Sequence, residues 1–262
     1  MGEVVLFADT FNRYFEPENL SAALAVLKAA GFRVHLPKAA DGGRPLCCGR
    51  TFLSVGAVDE ARREAERTLS VLAPYVERGV PVVGLEPSCL FGFRDEIPAL
   101  LKSESAKRLA AHALTFEEFL AREAGEGRVK LLLGEIGKRA LLHGHCHQKT
   151  FGVMSAVEQV LKLIPGLAVE TVESSCCGMA GAFGYGADTI DVSLAMGELS
   201  LLPAVRQAAP ETIIVADGTS CRQQIKDGAG REALHVARVL AASLAVLDRH
   251  PEVPARSAGL EG

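Results

Sequence analysis

The chain has 262 residues, of which 48% are apolar and 23% charged, a composition typical of a globular protein with one large domain or two smaller ones. A net charge of −4, an aromatic content of 5% and the absence of tryptophan argue against nucleic-acid binding, which favours a basic surface and stacking rings. No apolar stretch reaches the roughly 18 residues of a membrane span, and the amino terminus lacks the basic residues of a signal peptide. We therefore expect a cytoplasmic protein whose cysteines stay reduced or bind metal.

The first half of the chain alternates short apolar runs, typical of buried strands, with longer amphipathic segments, typical of helices. In chain order the pattern predicts strand Val4–Ala8, helix Glu18–Ala30, strand Phe32–Leu36, the pair Cys47-Cys48 before Gly49, helix Gly56–Arg78, strand Val80–Leu85 and a loop that ends at Cys89. A charged, mostly helical extension follows over residues 96–128.

The same order then starts again. The second half predicts strand Ala140–His143, a loop with Cys146, helix Ser155–Leu163, strand Ala168–Val172, the pair Cys176-Cys177 before Gly178, helix Asp188–Ala208, strand Thr212–Ala216 and a loop with Cys221. The spacing agrees as well, because 40 residues separate Cys48 from Cys89 and 43 separate Cys177 from Cys221. Two similar copies of this length indicate a duplicated domain.

Alternating strands and helices imply parallel sheets with right-handed crossovers. We therefore predict an α/β fold of two tandem Rossmann-like modules: residues 1–137, which include the helical extension 96–128, and residues 138–249. The remaining residues, 250–262, contain too few apolar side chains to pack, and we expect them to form a flexible tail.

The cysteines are the residues that point to chemistry. We expect all seven to lie at strand ends or on the loops that follow: Cys47, Cys48, Cys89, Cys146, Cys176, Cys177 and Cys221. In open α/β sheets, ligands bind at such loops, beyond the carboxyl ends of the strands. Adjacent cysteines have Cα atoms about 3.8 Å apart, which is too close for an ordinary disulfide. The two pairs are therefore better placed to bind metal.

The identity of the metal is open between iron and zinc. Soft thiolates select zinc, copper(I) or iron–sulfur clusters. The chain has no CxxC spacing of the kind typical of structural zinc sites, and seven thiols exceed the needs of one tetrahedral ion, which favours a multi-iron cluster. In the zinc alternative, three or four thiols, alone or with His145 or His147, would hold one ion.

Histidines and glycines flank the cysteines. His143, His145 and His147 alternate around Cys146, and along an extended segment they would share one face. His145 and His147 are candidate additional ligands, with hydrogen bonding to the ligands or an ordinary polar role in the loop as the alternatives. The glycines after Cys177 fit neither common phosphate-loop pattern, so we expect them to let the backbone approach a cluster closely.

The stretches HGHCHQKT, ESSCCGMAGAFGYG and DGTSCRQQI resemble the cysteine-rich, or CCG, domain family. That family includes the B subunit of heterodisulfide reductase, the iron–sulfur subunits of glycolate oxidase and of anaerobic glycerol-3-phosphate dehydrogenase, and the carboxyl-terminal region of FAD-linked D-lactate and D-2-hydroxyglutarate dehydrogenases. The resemblance implies an iron–sulfur electron-transfer module of an FAD-linked oxidoreductase that acts on a 2-hydroxy acid such as glycolate, D-lactate or D-2-hydroxyglutarate. The alternatives are a zinc-binding structural module and thiol–disulfide chemistry of the heterodisulfide reductase type.

The resemblance also implies a ligand set. The family pattern is one cysteine, then CCG, then CxxC in each module, around a [4Fe–4S] cluster that is non-cubane in the best-known members. The implied metal ligands are Cys146, Cys176, Cys177 and Cys221 in the second module and Cys47, Cys48 and Cys89 in the first. Family cysteines are missing near Asp9 and Thr10, at Gly92 and at Gln224, so one cluster, in the second module or shared, fits better than two.

Partners follow from the same resemblance. The larger family forms carry an FAD domain and a cubane-cluster motif, and this sequence contains neither. We therefore expect a non-flavin component, either a subunit or a fragment, that works with an FAD-containing oxidase domain or subunit and with a further cubane iron–sulfur domain. Through such a partner the chain would be peripheral to the membrane. The resemblance assigns no catalytic residue and no nucleic-acid partner.

Overall fold

The computed structural model describes residues 2–40 and 42–245, so the tail predicted at 250–262 lies outside the described residues. The chain forms two four-stranded parallel sheets. The first has the order β2-β1-β3-β4, with β1 Glu3–Phe7, β2 Arg33–His35, β3 Val82–Gly84 and β4 Ala113–Thr115. The second has the order β6-β5-β7-β8, with β5 Arg139–His143, β6 Ala168–Thr171, β7 Ile213–Ala216 and β8 Ala233–Leu234. The predicted α/β fold of two Rossmann-like modules is confirmed.

Helices connect successive strands in both halves. In the first half they are α1 Thr10–Tyr14, α2 Pro17–Ala29, α3 Arg50–Ser54, α4 Val58–Val76, α5 Pro87–Arg94, α6 Glu96–Leu101, α7 Glu104–His112 and α8 Phe116–Gly125. In the second half they are α9 Cys146–Thr150, α10 Met154–Leu161, α11 Ile190–Glu198, α12 Leu201–Gln207, α13 Thr219–Ala229 and α14 Val236–Ser243, with a 3-10 helix at Gly181–Tyr185. No helix within residues 2–40 and 42–245 is long and apolar enough to span a membrane.

Two features of the fold differ from the sequence prediction. The edge strands β4 and β8 are not predicted, because three and two residues are too few to form a distinct apolar run. The helix predicted at Asp188–Ala208 is two helices, α11 and α12, separated at Leu199 and Ser200. Pro203 explains the break, because in a continuous helix its ring would clash with the carbonyl group of Leu199.

The largest hydrophobic core lies between the two halves and belongs to both. Helix α2 packs against α14, and helix α8 packs against α10, so each half supplies two helices. Val26 and Leu120 from the first half are fully buried there, together with Val160 and Leu240 from the second. Burial of these helix faces joins the two sheets into one body.

The opposite face of each sheet carries a smaller core that includes cysteines. Successive side chains of a strand point to opposite faces, so Leu6 of β1 lies in the shared core while Phe7 lies in the outer core of the first half. Cys48 and Cys89 belong to this outer core. The outer core of the second half contains its counterparts, Cys177 and Cys221.

Candidate metal centre

Strand ends and helix starts bring the cysteines together. Cys89, Cys146 and Cys221 lie in the first turns of α5, α9 and α13, so the prediction that all cysteines lie at strand ends or in loops was wrong for these three. The first N–H groups of a helix have no carbonyl partner within the helix, and this positive end favours a thiolate over a thiol. The pair Cys47-Cys48 lies in the loop before α3, and the pair Cys176-Cys177 lies in the loop after β6.

The first set of thiols comprises Cys47, Cys48 and Cys89, which are hydrogen-bonded in that order. The hydrogen bond with Cys48 and then burial raise the pKa of Cys47 above its ordinary value. The hydrogen bond with Cys48 lowers the pKa of Cys89, but burial and the carboxylates of Asp9 and Glu86 outweigh it and raise that pKa to about 11. These thiols hold their protons at neutral pH, and a bound cation would have to displace them.

Thr10 stands where the sequence places the missing leading cysteine of the first half. It is the first residue of α1, as Cys146 is the first residue of α9, and its hydroxyl donates to Cys47 Sγ at 4.0 Å. Asp9 caps α1 by accepting the backbone N–H of Asn12 at 3.0 Å, and burial raises the pKa of Asp9 to about 6. The first set therefore offers three sulfurs and a hydroxyl, which is a weaker donor set for a soft metal than four sulfurs.

The second set comprises Cys146, Cys176, Cys177 and Cys221, which also form a hydrogen-bonded chain. Cys177 and Cys221 are 4% and 2% exposed, whereas Cys146 and Cys176 are half-buried. The hydrogen bond with Cys146 lowers the pKa of Cys176, and the N–H of Gly178 adds to this effect at 3.3 Å from Sγ. The hydrogen bond with Cys177 likewise lowers the pKa of Cys221. The direction of the pKa shift therefore alternates along this hydrogen-bonded series: it is raised for Cys146 and Cys177 and lowered for Cys176 and Cys221.

Lys149 fixes the loop that leads into Cys176. Its Nζ donates to the carbonyl oxygens of Ser174 and Ser175, the latter at 3.1 Å, and to the Ser174 hydroxyl at 3.2 Å. Burial lowers the pKa of Lys149, and the nearby thiolates of the second set oppose that shift. The ammonium group therefore positions the loop and offsets part of the negative charge of the sulfurs.

His143, the last residue of β5, is buried beside the two deepest sulfurs of the second set. It is 1% exposed, and one of its ring nitrogens lies within 4.8 Å of the sulfurs of both Cys177 and Cys221. Its Nδ1 shares a hydrogen bond of 2.9 Å with the Ser174 hydroxyl, and its Nε2 has no nitrogen or oxygen partner in the described part of the chain. A hydrogen bond with the His143 ring adds to the lowering of the Cys221 pKa. Sequence reasoning noted this residue but did not name it as a ligand.

His145 and His147 are arranged differently. The chain turns from strand into helix at His145, so the three histidines do not share one extended face as expected. Nδ1 of His145 accepts the backbone N–H of His147 at 3.1 Å, and its Nε2 lies 3.4 Å from Ser88 Oγ. Nε2 of His147 lies 3.3 Å from the Arg50 guanidinium, and burial lowers the pKa of His147 to about 4. A ligand role for either residue stays a prediction.

The glycine of the second CCG motif has a packing role. Gly178 has a φ of +93°, and a Cβ atom there would overlap the backbone oxygen of Ser193 in α11. A side chain at this position would push the cysteine loop away from the helix. We expected this glycine to let the backbone approach a cluster. The close contact between loop and helix is a simpler explanation for a glycine at this position.

A buried carboxylate joins the two halves next to the cysteines. Glu86 is 3% exposed, and it accepts the backbone N–H of Ser88 at 3.3 Å and that of Thr219 at 2.8 Å. Ser88 is in the first turn of α5, which carries Cys89, and Thr219 opens α13, which carries Cys221. One side chain therefore caps the two helices that hold the deepest cysteine of each set.

A second cluster of possible ligands, Glu117, Asp217 and His235, is fully buried at the junction of the halves. Asp217 already accepts a hydrogen bond of 2.8 Å from Gln148 Nε2, and His235 Nε2 donates to the backbone oxygen of Leu85 at 3.0 Å. Burial and the charge of Asp217 raise the pKa of Glu117 well above its ordinary value. These bonds make the cluster a polar link within the fold.

The donor chemistry of the second set fits a metal ion or an iron–sulfur cluster. Four cysteines linked in series by hydrogen bonds, two of them beside a buried imidazole, form the soft ligand set that selects zinc, copper(I) or iron–sulfur clusters. The structure gathers all seven predicted cysteines into sets of three and four at equivalent places in the two halves.

Comparison with known proteins agrees with this site. Residues 140–226 match the family model of the cysteine-rich domain, CCG. The matched segment contains all four cysteines of the second set. The resemblance predicted from the cysteine motifs is confirmed.

Known relatives extend the similarity over nearly the whole chain. It is 28% identical over 244 residues to the C subunit of anaerobic glycerol-3-phosphate dehydrogenase of Escherichia coli (strain K12), covering 93% of this chain and 59% of that protein. It is 28% identical over 240 residues to D-2-hydroxyglutarate dehydrogenase of the same strain, covering 90% of this chain and 22% of that protein. The D-2-hydroxyglutarate dehydrogenase of Pseudomonas putida (KT2440) is 29% identical over 241 residues, with the same coverage of 90% and 22%. The chain thus spans less than two thirds of the length of these relatives.

Proposed function

We propose that the chain is the iron–sulfur electron-transfer module of an FAD-linked oxidoreductase that acts on a 2-hydroxy acid, either as a subunit or as part of a longer polypeptide. The observation that carries this proposal is the second set of thiols, in which four cysteines are linked in series by hydrogen bonds and two of them lie beside an imidazole. The dehydrogenase names of the relatives support the class of reaction. The CCG resemblance supports the flavin partner.

Cys146, Cys176, Cys177 and Cys221 would hold a [4Fe–4S] cluster, of the cubane or the non-cubane type. When bound, such a cluster takes up and releases single electrons. The deep burial of Cys177 and Cys221 keeps water from that side of the site, while the half-buried Cys146 and Cys176 face an accessible side. Exposure, charge and hydrogen bonds to the sulfurs set the potential of such a cluster.

The accessible side of the second set is where we place the partner. An FAD-containing oxidase domain or subunit would deliver electrons there, and a further cubane iron–sulfur domain would complete the path. A cytoplasmic location, peripheral to the membrane through this partner, belongs to the same proposal. So does the division of the chain into modules at residues 1–137 and 138–249.

Metal analysis after anaerobic purification tests the proposal. We expect a brown protein that contains several irons and acid-labile sulfide, and whose visible absorption bleaches with dithionite and returns on reoxidation. A colourless protein with one zinc per chain and negligible iron would instead support a structural zinc module. Reductive cleavage of a small disulfide by the isolated protein, driven by an artificial electron donor, would support the heterodisulfide reductase type of chemistry.

Matched serine variants of the two vicinal pairs locate the cluster. Cys177→Ser should abolish iron binding, because this buried sulfur belongs to the four-thiol set. Cys48→Ser changes the equivalent buried cysteine of the first half and should leave the iron content unchanged. Loss of iron in both variants, with the fold intact by circular dichroism, would show a cluster shared between the halves.

A further inference from the structure

The nitrogen Nε2 of His143 is buried next to the second set of thiols with no nitrogen or oxygen partner among the described residues, and the ring interacts with the Cys221 sulfur. Buried polar atoms in folded proteins are almost always paired, so such an atom calls for a physical reason. His145, two residues further on, shows the usual outcome, because both of its ring nitrogens have partners. Nδ1 of His147 also lacks a partner among the described residues, but His147 is half-buried, whereas His143 is 1% exposed and lies within 4.8 Å of two of the sulfurs.

The other ring nitrogen of His143 is held in the manner of a metal ligand. Imidazoles that bind metal through one nitrogen almost always engage the other nitrogen with an oxygen atom, which fixes the tautomer and the orientation of the ring. Nδ1 of His143 is 2.9 Å from the Ser174 hydroxyl, and Lys149 holds that serine in place. A proton on Nδ1 leaves the lone pair of Nε2 free for the metal.

The first half shows that the fold does not require histidine at this position. β1 ends at Phe7, two residues before the cap of α1, just as β5 ends at His143, two residues before the cap of α9. Phe7 is buried and packs edge-on against Phe93, with ring centroids 4.8 Å apart. An imidazole replaces the phenyl ring only in the half that has four thiols.

Gln224 lies one helical turn after Cys221 in α13, but its amide donates to the backbone oxygen of Ser193 at 3.2 Å and is turned to that helix contact. One ring nitrogen of His143, by contrast, lies within 4.8 Å of the sulfurs of both Cys177 and Cys221.

We propose that Nε2 of His143 is a ligand of the metal held by the second set, so that this site has four thiolates and one imidazole. This inference rests on the proposed function, because it requires a metal at that set. It predicts a site with one neutral ligand, whose reduction potential is higher than that of an all-thiolate site, since a neutral ligand stabilises the oxidised state less.

Pulsed electron paramagnetic resonance of the anaerobically purified, dithionite-reduced protein tests the inference. We expect a strong nitrogen hyperfine coupling from a directly bound imidazole, which changes to the ¹⁵N pattern when the protein is grown with ¹⁵N-histidine. The coupling should vanish in His143→Phe, which copies the first half. It should persist in His147→Gln and in His112→Gln, a variant of the half-buried histidine at the end of α7. His143→Cys should keep the iron, lose the nitrogen coupling and have a lower midpoint potential than the wild type.

The outcomes separate the two proposals. A wild-type protein with no iron overturns the proposed function itself. An iron-loaded wild type that shows only weak nitrogen coupling, as from a hydrogen bond to sulfur, overturns the ligand role of His143 and leaves the proposed function standing. Strong nitrogen coupling that persists in His143→Phe or His143→Cys likewise overturns the ligand role of His143 and leaves the proposed function standing. The labelling experiment on the wild type needs no variant, so a variant that fails to fold does not block the test.

Discussion

Replacing Glu86 by alanine should destabilise both halves of the molecule, because this carboxylate caps a helix in each. The variant removes the side-chain cap of α5, which costs about 0.5–2 kcal/mol. It also leaves the buried N–H of Thr219 without its acceptor, which costs about 1–3 kcal/mol. A combined loss of about 3 kcal/mol in the free energy of unfolding corresponds to a fall in Tm of roughly 6–12 °C for a chain of this size.

Thermal unfolding of the anaerobic protein, followed by far-ultraviolet circular dichroism, measures this effect. Glu86→Gln should fall between wild type and alanine variant, since its single oxygen can accept from only one of the two N–H groups. Glu170→Gln is the matched control, because Glu170 is 65% exposed in its ion pair with Arg139, and such pairs contribute about 0–1 kcal/mol. A Glu86→Ala protein that unfolds with the same Tm as the control would refute the role given to this carboxylate.

Two further predictions concern other buried groups. Burial raises the pKa of Glu117, so the folded state is penalised above the unfolded-state pKa of about 4.3, and stability falls as the pH rises toward the folded-state value. Glu117→Gln should therefore become more stable relative to the wild type as the pH rises, by about 1.4 kcal/mol for each unit by which the pKa is raised. Urea unfolding at several pH values measures this difference in the free energy of unfolding. A difference that does not change with pH would contradict the prediction. Gly178→Ala should lower Tm more than the control Gly230→Ala. Gly230 has a φ of +65° but open space around the new methyl group in the described structure. The control therefore carries only the cost of the left-handed backbone, about 1–2 kcal/mol. Equal losses would show that the cysteine loop does not pack tightly on α11.

Local patterns were sufficient to predict the duplication and the parallel sheets. The buried strands β1 and β5 are covered on both faces, so each forms a continuous apolar run in the sequence. The repeated Cys-Cys-Gly motif then aligned the halves. The start of α5 also had a local signal, an acidic cap at Glu86 followed by Pro87, although the segment was interpreted as a loop.

The parts of the site that were not predicted depend on the direction in which side chains point and on contacts between residues far apart in the sequence. Which sulfurs His143 and His145 approach depends on where the strand turns into a helix, and alternation along the sequence does not reveal that turn. His145 Nδ1 lies 3.9 Å from Cys146 Sγ, whereas His143 lies beside Cys177 and Cys221. The bond from Thr219 to Glu86 joins residues 133 positions apart, and no local pattern encodes it. Such contacts arise only when two complete modules pack together.

The core shared by the halves makes the chain one cooperative unit. Severing the polypeptide between residues 137 and 138 would leave α2 and α8 in one fragment and their packing partners α14 and α10 in the other. Each fragment would then expose an apolar helix pair, with Val26 and Leu120 on one side and Val160 and Leu240 on the other, and would tend to aggregate. The half with three cysteines thus completes the hydrophobic core of the half with four, and we expect neither half to fold as a free-standing unit.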